Sequence, residues 1–289
     1  MAHPVRFGLK SAGQDTAIRD LRAVWRIADE AGFDHLWAFD HMASIGPGGP
    51  DRPVFEGWSL LAGMATCTRS VRIGLNVTGN TYRNPAMLAK IATTVDHLSG
   101  GRLEFGIGAA WAEVEHTMYG IGGLDHRVGR LSESLRIIRS LWTEERTNFH
   151  GRYYTMTDAI ANPKPVQKPH PPIWIGAGGD MTMKLAARYA DVWNPSGGAG
   201  RDRASLERGN ALLDQLCRDI GRDPATLRRS VQVRWDGNDA NQLVDQIGDY
   251  AGVGIGDFLI YVAGPEAPRI VADAGTKVLP QLRSLRVGG

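Results

Sequence analysis

At 289 residues, 43% of them hydrophobic, the chain is long for an average domain and suits one barrel of eight strand and helix units, for which ~250 residues is typical. A formal charge of +2 from 33 basic and 31 acidic residues, with no basic run, speaks against a nucleic-acid partner. No apolar stretch approaches the ~20 residues of a membrane span. Met1 to Val5 lacks signal-peptide regions, and Cys67 and Cys217 have neither metal-ligand spacing nor a disulfide framework, so a reduced, cytoplasmic setting is expected.

Val5 to Lys10 alternates as a first strand. Asp15 then introduces a helix with Ile18, Leu21, Trp25 and Ala28 on one side, ended by Gly32. His35 to Phe39 is the second strand, followed by Asp40, His41 and Met42. The Gly- and Pro-rich loop Ser44 to Pro53 is predicted irregular and exposed, and Phe55 to Thr66 helical. Val71, Ile73, Leu75 and Val77 mark the third strand. Pro85 opens a helix whose predicted buried stripe is Leu88, Ile91, Val95 and Leu98, and Ser99-Gly100-Gly101 ends it.

Leu103 to Ile107 is the fourth strand. Trp111 to Gly123 reads as a loop or short helix with Glu113, Glu115 and His116, and a longer helix runs from about Arg127 to Trp142. The prolines between Pro163 and Pro172 exclude a regular helix, so about 149–172 is predicted to be an inserted connector. Ile173 to Ile175 and Asp191 to Trp193 are strands five and six, with helices predicted over Thr182 to Tyr189 and Ser205 to about Ile220. Arg229 to Arg234 and Asp257 to Tyr261 are strands seven and eight, and the last helix is expected over Pro268 to about Leu285. Strict alternation predicts one domain over 1–289, a (β/α)8 TIM barrel with an insertion before strand five, with an open doubly wound sheet as the other solution.

Short segments past the strand ends would open on one face, where such barrels keep their chemistry. Gly106 to Trp111 is a poor dinucleotide fingerprint, because Trp111 replaces the third glycine; tight packing of the strand on its loop is the other reading. Gly176 to Gly179 before a helix offers backbone amides to an anion, or a plain turn. Asp40-His41 pairs a carboxylate with a group able to move protons near neutral pH, or is a solvated turn. Glu113 and Glu115 are explained by a helix dipole alone, and His116 as a surface residue.

Taken together, several segments resemble the bacterial luciferase-like superfamily. They are Gly32-Phe33-Asp34, Trp37 to His41, Tyr82-Arg83-Asn84-Pro85, Leu98 to Arg102, Gly106 to Ala109, Pro172 to Gly176, and Ala190 to Asn194. The resemblance runs nearly the whole length and is strongest to the branch using coenzyme F420, a deazaflavin; FMN monooxygenases share the scaffold. It implies a cis Asn76-Val77 bulge behind the cofactor ring and places Asp40 and His41 at the reactive edge, with His41 as proton donor. Cofactor contacts are implied at Asn76, Val77, Thr78, Gly108, Ala109, Ala177, Gly178 and Gly179, the last two as phosphate donors. Sugar-phosphate dehydrogenases of this branch carry a catalytic Glu where Trp111 stands and a Lys in the loop Ser196 to Gly200. Trp111 and Trp193 instead suggest an apolar or planar pocket for a small-molecule substrate. The resemblance further implies hydride transfer to an activated C=C, C=N or C=O bond and a homodimer. FMN-dependent monooxygenation and a non-catalytic deazaflavin carrier are the alternatives.

Overall fold

Strands and helices alternate as the periodicity predicts, in a computed structural model that describes residues 4–46 and 48–287. Met1 to His3, with the N-terminal reading they carry, Pro47 of the Gly- and Pro-rich loop, and 288–289 lie outside the described residues. In chain order the elements are β1 (Arg6–Ser11), α1 (Ile18–Glu30), β2 (His35–Ala38), α2 (Gly57–Cys67), β3 (Arg72–Leu75), β4 (Thr78–Gly79), α3 (Pro85–Leu98), β5 (Leu103–Gly108) and α4 (Glu113–Tyr119). There follow α5 (Arg127–Thr143), β6 (Thr147–His150), β7 (Thr155–Ala159), β8 (Ile173–Ala177), α6 (Asp180–Tyr189), β9 (Val192–Pro195) and α7 (Arg203–Asp219). The chain closes with β10 (Arg228–Arg234), α8 (Ala240–Gly252), β11 (Asp257–Val262), α9 (Ala267–Asp273) and α10 (Leu279–Leu282).

The parallel strands pair in the order β3, β2, β1, β11, β10, β9, β8, β5, β4, and β3 also pairs with β5. That pairing closes the sheet into a (β/α)8 barrel. The third barrel strand is split, with β3 against the start of β5 and β4 against its end. Between the halves lies a cis peptide bond, Asn76-Val77. The insertion before β8 holds the antiparallel pair β6–β7.

Helix ends follow local chemistry. Glu56 caps α2 by accepting from Trp58 N and Ser59 N, so that helix starts two residues later than predicted. Asn84 caps α3, with Pro85 in its first turn, and Gly100 and Gly101 past its end adopt φ of 64° and 85°. The predicted last helix is interrupted: a π-helical turn over Ala274–Val278 separates α9 from α10. Two expected core residues are not core. Ile18 is 46% and Leu98 48% exposed, because each sits at a helix end beyond the layer it was expected to cover.

Inside the barrel, Trp37 and Trp174 pack with ring centroids 4.5 Å apart, alongside Val192 and Leu259. Gly8 and Gly74 make that possible, since a Cβ on either would collide with the ring of His35 or Trp37. Below them the N-terminal end is sealed by charge. Arg6 Nε donates to Asp257 Oδ1 (2.6 Å), Arg228 Nε to Asp257 Oδ2 (2.7 Å), and Arg6 and Arg72 both to Glu104 Oε1 (3.0 and 2.5 Å). Trp174 Nε1 donates to Glu104 Oε2 (2.6 Å), and Trp37 Nε1 to His35 Nδ1 (2.6 Å). Among the described residues no helix is long and apolar enough to cross a membrane.

Candidate functional site

The C-terminal ends of the strands build a mouth whose floor, wall and rim come from different elements. The floor is polar at one side and bare at the other. Lys10 of β1 shares the inward parity of Gly8; its Nζ donates to Gln232 Oε1 (2.9 Å) and Asn76 Oδ1 (3.2 Å). Gln232 Nε2 donates to Asn194 Oδ1 (3.4 Å), and Asn194 Nδ2 to Ser230 Oγ (2.8 Å). Burial pushes the Lys10 ammonium down to about 7.

The bare side is a glycine cradle. Val77 leans inward, so that a Cβ on Gly108 would come 2.8 Å from Val77 Cγ2 and one on Gly176 3.1 Å, while one on Gly106 would strike the Leu75 carbonyl. The glycines of β5 and β8 therefore serve close packing against Leu75 and Val77. Beside them Asn76 Nδ2 and both polar side-chain atoms of Asn80 are buried without partners. Orphaned amides next to a side-chain-free cradle fit a flat, hydrogen-bonding ring.

The wall carries the chemistry. Asp40 accepts two bonds from Arg83, NH1 to Oδ2 (2.6 Å) and NH2 to Oδ1 (3.0 Å), with further bonds from Thr78 Oγ1 and from Gly79 N (3.3 Å). It is thus a fixed ion pair joining the loop after β2 to β4. His41 Nδ1 donates to Glu115 Oε2 (2.9 Å), which leaves Nε2 as the ring nitrogen not engaged by Glu115. Glu115 also accepts from Met42 N (2.6 Å), Ala43 N (2.9 Å) and the Tyr82 hydroxyl. Burial alone would raise this carboxyl; the bonds from His41, the Ala43 amide and Tyr82 hold it at about 2. Burial and the facing carboxylate push the Tyr82 phenol up.

His116 is buried, contrary to expectation. Its Nδ1 donates to the Ala112 carbonyl (2.8 Å) and its Nε2 accepts from Thr81 Oγ1 (2.6 Å), tying α4 to the β4 loop. Residue Ala110, at φ 64°, turns the chain into α4, and Arg127 holds its carbonyl (2.9 Å). That turn brings Glu115 to His41.

At the rim, Trp111 is 61% exposed and meets the His41 ring edge to face at 5.5 Å. Ala109, partly buried, packs on the core beside the Gly108 cradle. The amides of Gly178 and Gly179 are exposed and donate to Thr182 Oγ1 (3.3 and 3.2 Å). Ala177 is buried, its carbonyl taken by Trp193 Nε1 (3.0 Å) and Ser196 N (3.1 Å). The pocket expectation for Trp193 is corrected by its direction. It packs outward, where a Cβ on Gly209 of α7 would come 2.5 Å from its ring, and neighbouring Val192 and Asn194 are the inward residues of β9.

Lys10, Tyr82, Arg83, Glu115, Asn194 and Gln232 were not singled out as site residues. For Lys10 and Gln232 the usable signal was strand parity. For Glu115 there was none, since 74 residues separate it from His41.

The luciferase-like monooxygenase family model matches residues 1–246. The F420-dependent glucose-6-phosphate dehydrogenase of Amycolatopsis mediterranei is 27% identical, the alignment covering 97% of this chain and 99% of that one. The same enzyme from Kineococcus radiotolerans is 31% identical over 80% of this chain and 68% of its own length. A solved F420-dependent secondary alcohol dehydrogenase, in complex with an F420-acetone adduct, superposes with a TM-score of 0.86 at 18% identity over 98% of this chain and 100% of that one. With the model match spanning most of its length, this chain belongs to the luciferase-like monooxygenase family.

Proposed function

We propose that this protein is an F420-dependent oxidoreductase that moves a hydride between the deazaflavin and a small organic substrate with an activated C=O, C=N or C=C bond. The observation that carries the reading is the His41–Glu115 pair at the same end of the barrel as the glycine cradle of β5 and β8. Relatives named as F420-dependent, aligned over 97% and 80% of this chain, support the choice of cofactor. When bound, the deazaflavin supplies or accepts the hydride. Asn76, Val77, Gly108 and Gly176 would hold its ring, with Asp40 and Thr78 beside it.

Glu115 fixes the His41 ring through Nδ1 and so presents Nε2 to the substrate heteroatom, where it gives or takes the accompanying proton. Glu115 stays ionised at working pH, so it remains an acceptor for the His41 ring. At the rim, Trp111 screens this pair from water and offers an apolar face to the substrate. An apolar residue there, with Ser196 to Gly200 free of lysine, favours an uncharged carbonyl compound or alcohol over a sugar phosphate.

Fluorescence titration with F420 and separately with FMN, followed by turnover of ketones, alcohols, enones and glucose 6-phosphate, tests the reading. Selective F420 binding with carbonyl or alcohol turnover is expected. Selective FMN binding with oxygen uptake would replace it by monooxygenation, and F420 binding without any turnover by a carrier role.

A further inference from the structure

On the wall of the mouth, charge meets charge. Arg83 faces Asp40, and His41 faces Glu115. Lys10 Nζ meets only amide oxygens, Asn76 Oδ1 and Gln232 Oε1, and among the described residues no carboxylate pairs with it. Those amides are oriented. Gln232 spends its Nε2 on Asn194, so its oxygen is left for the ammonium. Asn76 likewise turns its oxygen to Lys10 and leaves Nδ2 buried and unused. A buried cation and an unused buried donor thus lie side by side, and together they offer only positive potential.

Such a floor suits an anion with an acceptor atom beside the charge. A two-electron-reduced deazaflavin has that character, because reduction adds a pyrimidine N–H next to one ring carbonyl, and its ionisation leaves an amidate with that carbonyl oxygen beside the charge. We propose that Lys10 and the Asn76 amide bind the ionised pyrimidine of the reduced cofactor, so that the protein holds the reduced form more tightly than the oxidised one. The proposal rests on the F420 reading above. Burial lowers Lys10 to about 7 in the free protein, so the pyrimidine N–H of the reduced form can pass its proton to the amine, and cofactor and Lys10 are left as an ion pair with no proton drawn from solvent.

Two variants test it from opposite directions. Lys10→Met removes the cation; Gln232→Glu keeps it and supplies a carboxylate that answers it. Wild type and both variants are titrated anaerobically with oxidised and with reduced F420, and the ratio of the two dissociation constants is compared. In each variant the preference for the reduced form is expected to fall about tenfold, which for a two-electron couple lowers the midpoint potential of the bound cofactor by about 30 mV. The ratio is read within one preparation, and two unrelated substitutions guard against loss of fold in either. Variants that bind both forms with the wild-type ratio, within about twofold, overturn this proposal and leave the F420 reading standing. Wild-type protein that binds neither form overturns both.

Discussion

At the N-terminal end of the barrel Arg6, Arg72 and Arg228 converge on Glu104 and Asp257, the carboxylate oxygens are shared out among guanidinium and indole donors, and His35 Nε2, though without a hydrogen bond, stands 3.6 Å from Asp257 Oδ1, so every charge there is matched. At the C-terminal end, one barrel length away, Lys10 has only neutral amides and three polar side-chain atoms of Asn76 and Asn80 have no partner. Both ends are buried, so desolvation is costly at each. What differs is whether the protein itself completes the electrostatics. A closed network serves stability, whereas an incomplete one is what a ligand can complete.

Breaking the closed end is expected to give the largest effect. Glu104→Gln strips the counter-charge from Arg6 and Arg72 while keeping shape, and a buried pair that loses one partner costs ~3–5 kcal/mol. Urea unfolding should show that loss, with kcat of the folded protein unchanged. A change in kcat with stability intact would put Glu104 in the catalytic machinery instead.

The open end should respond with the opposite sign. Burial lowers Lys10 from 10.5 to about 7, so between those values the unfolded chain holds a proton that the folded chain has released. Stability from this group therefore rises with pH across that window; the full penalty stands below about 7 and has vanished above 10.5. Relative to Lys10→Met, the wild type should gain on the order of 4 kcal/mol between pH 6 and pH 10, because each tenfold change in proton affinity is worth ~1.4 kcal/mol. Urea midpoints of both proteins at the two pH values check this. A gap that does not move with pH would mean that water reaches the ammonium.

Removing the proposed proton donor comes next. His41→Ala is expected to lower kcat by about a hundred- to thousandfold, with F420 affinity close to wild type, as measured by turnover and fluorescence titration. Equal losses in both would make His41 a cofactor ligand.

Apolar strand patterns between helical stretches made all eight barrel strands legible, alternating in the first and third and nearly continuous in strands such as β8 and β11, which are buried on both faces. The same pattern hid the split of the third strand: Val71 to Val77 alternates without interruption across a point where pairing with β5 breaks and resumes. Parity applied to side chains would have told more than residue type did. Trp193 looked like a pocket residue because it is aromatic at a strand end, yet Val192 and Asn194 take the inward positions and leave it facing α7. Lys10 reads as an ordinary polar alternate, but it stands in step with Gly8, whose missing side chain marks the barrel interior. Asp40 and His41 were found because they adjoin a strand end. Glu115 and His116 were passed over because a short helix with two early acids already had a local explanation, and only the turn at Ala110 carries them back onto the β2 and β4 loops.

Glu115 gives the smallest and most discriminating test of the open end, because it touches neither floor nor rim and acts through His41. Glu115→Gln keeps an oxygen for the Met42 and Ala43 amides, so the loop should hold, but the charge behind the imidazole is gone. Loss of a carboxylate that orients a histidine typically costs ~10–100-fold in function, and here it should fall on kcat with KM little changed. Stability supplies the independent readout. The carboxyl is held at about 2, below its ordinary 4.5, so it contributes stability above 4.5 that disappears as pH falls toward 2. The gap in unfolding free energy between wild type and variant should therefore close on acidification while the gap in kcat persists wherever the wild type is folded. A variant that loses kcat only in proportion to its folded fraction would reduce Glu115 to a loop anchor.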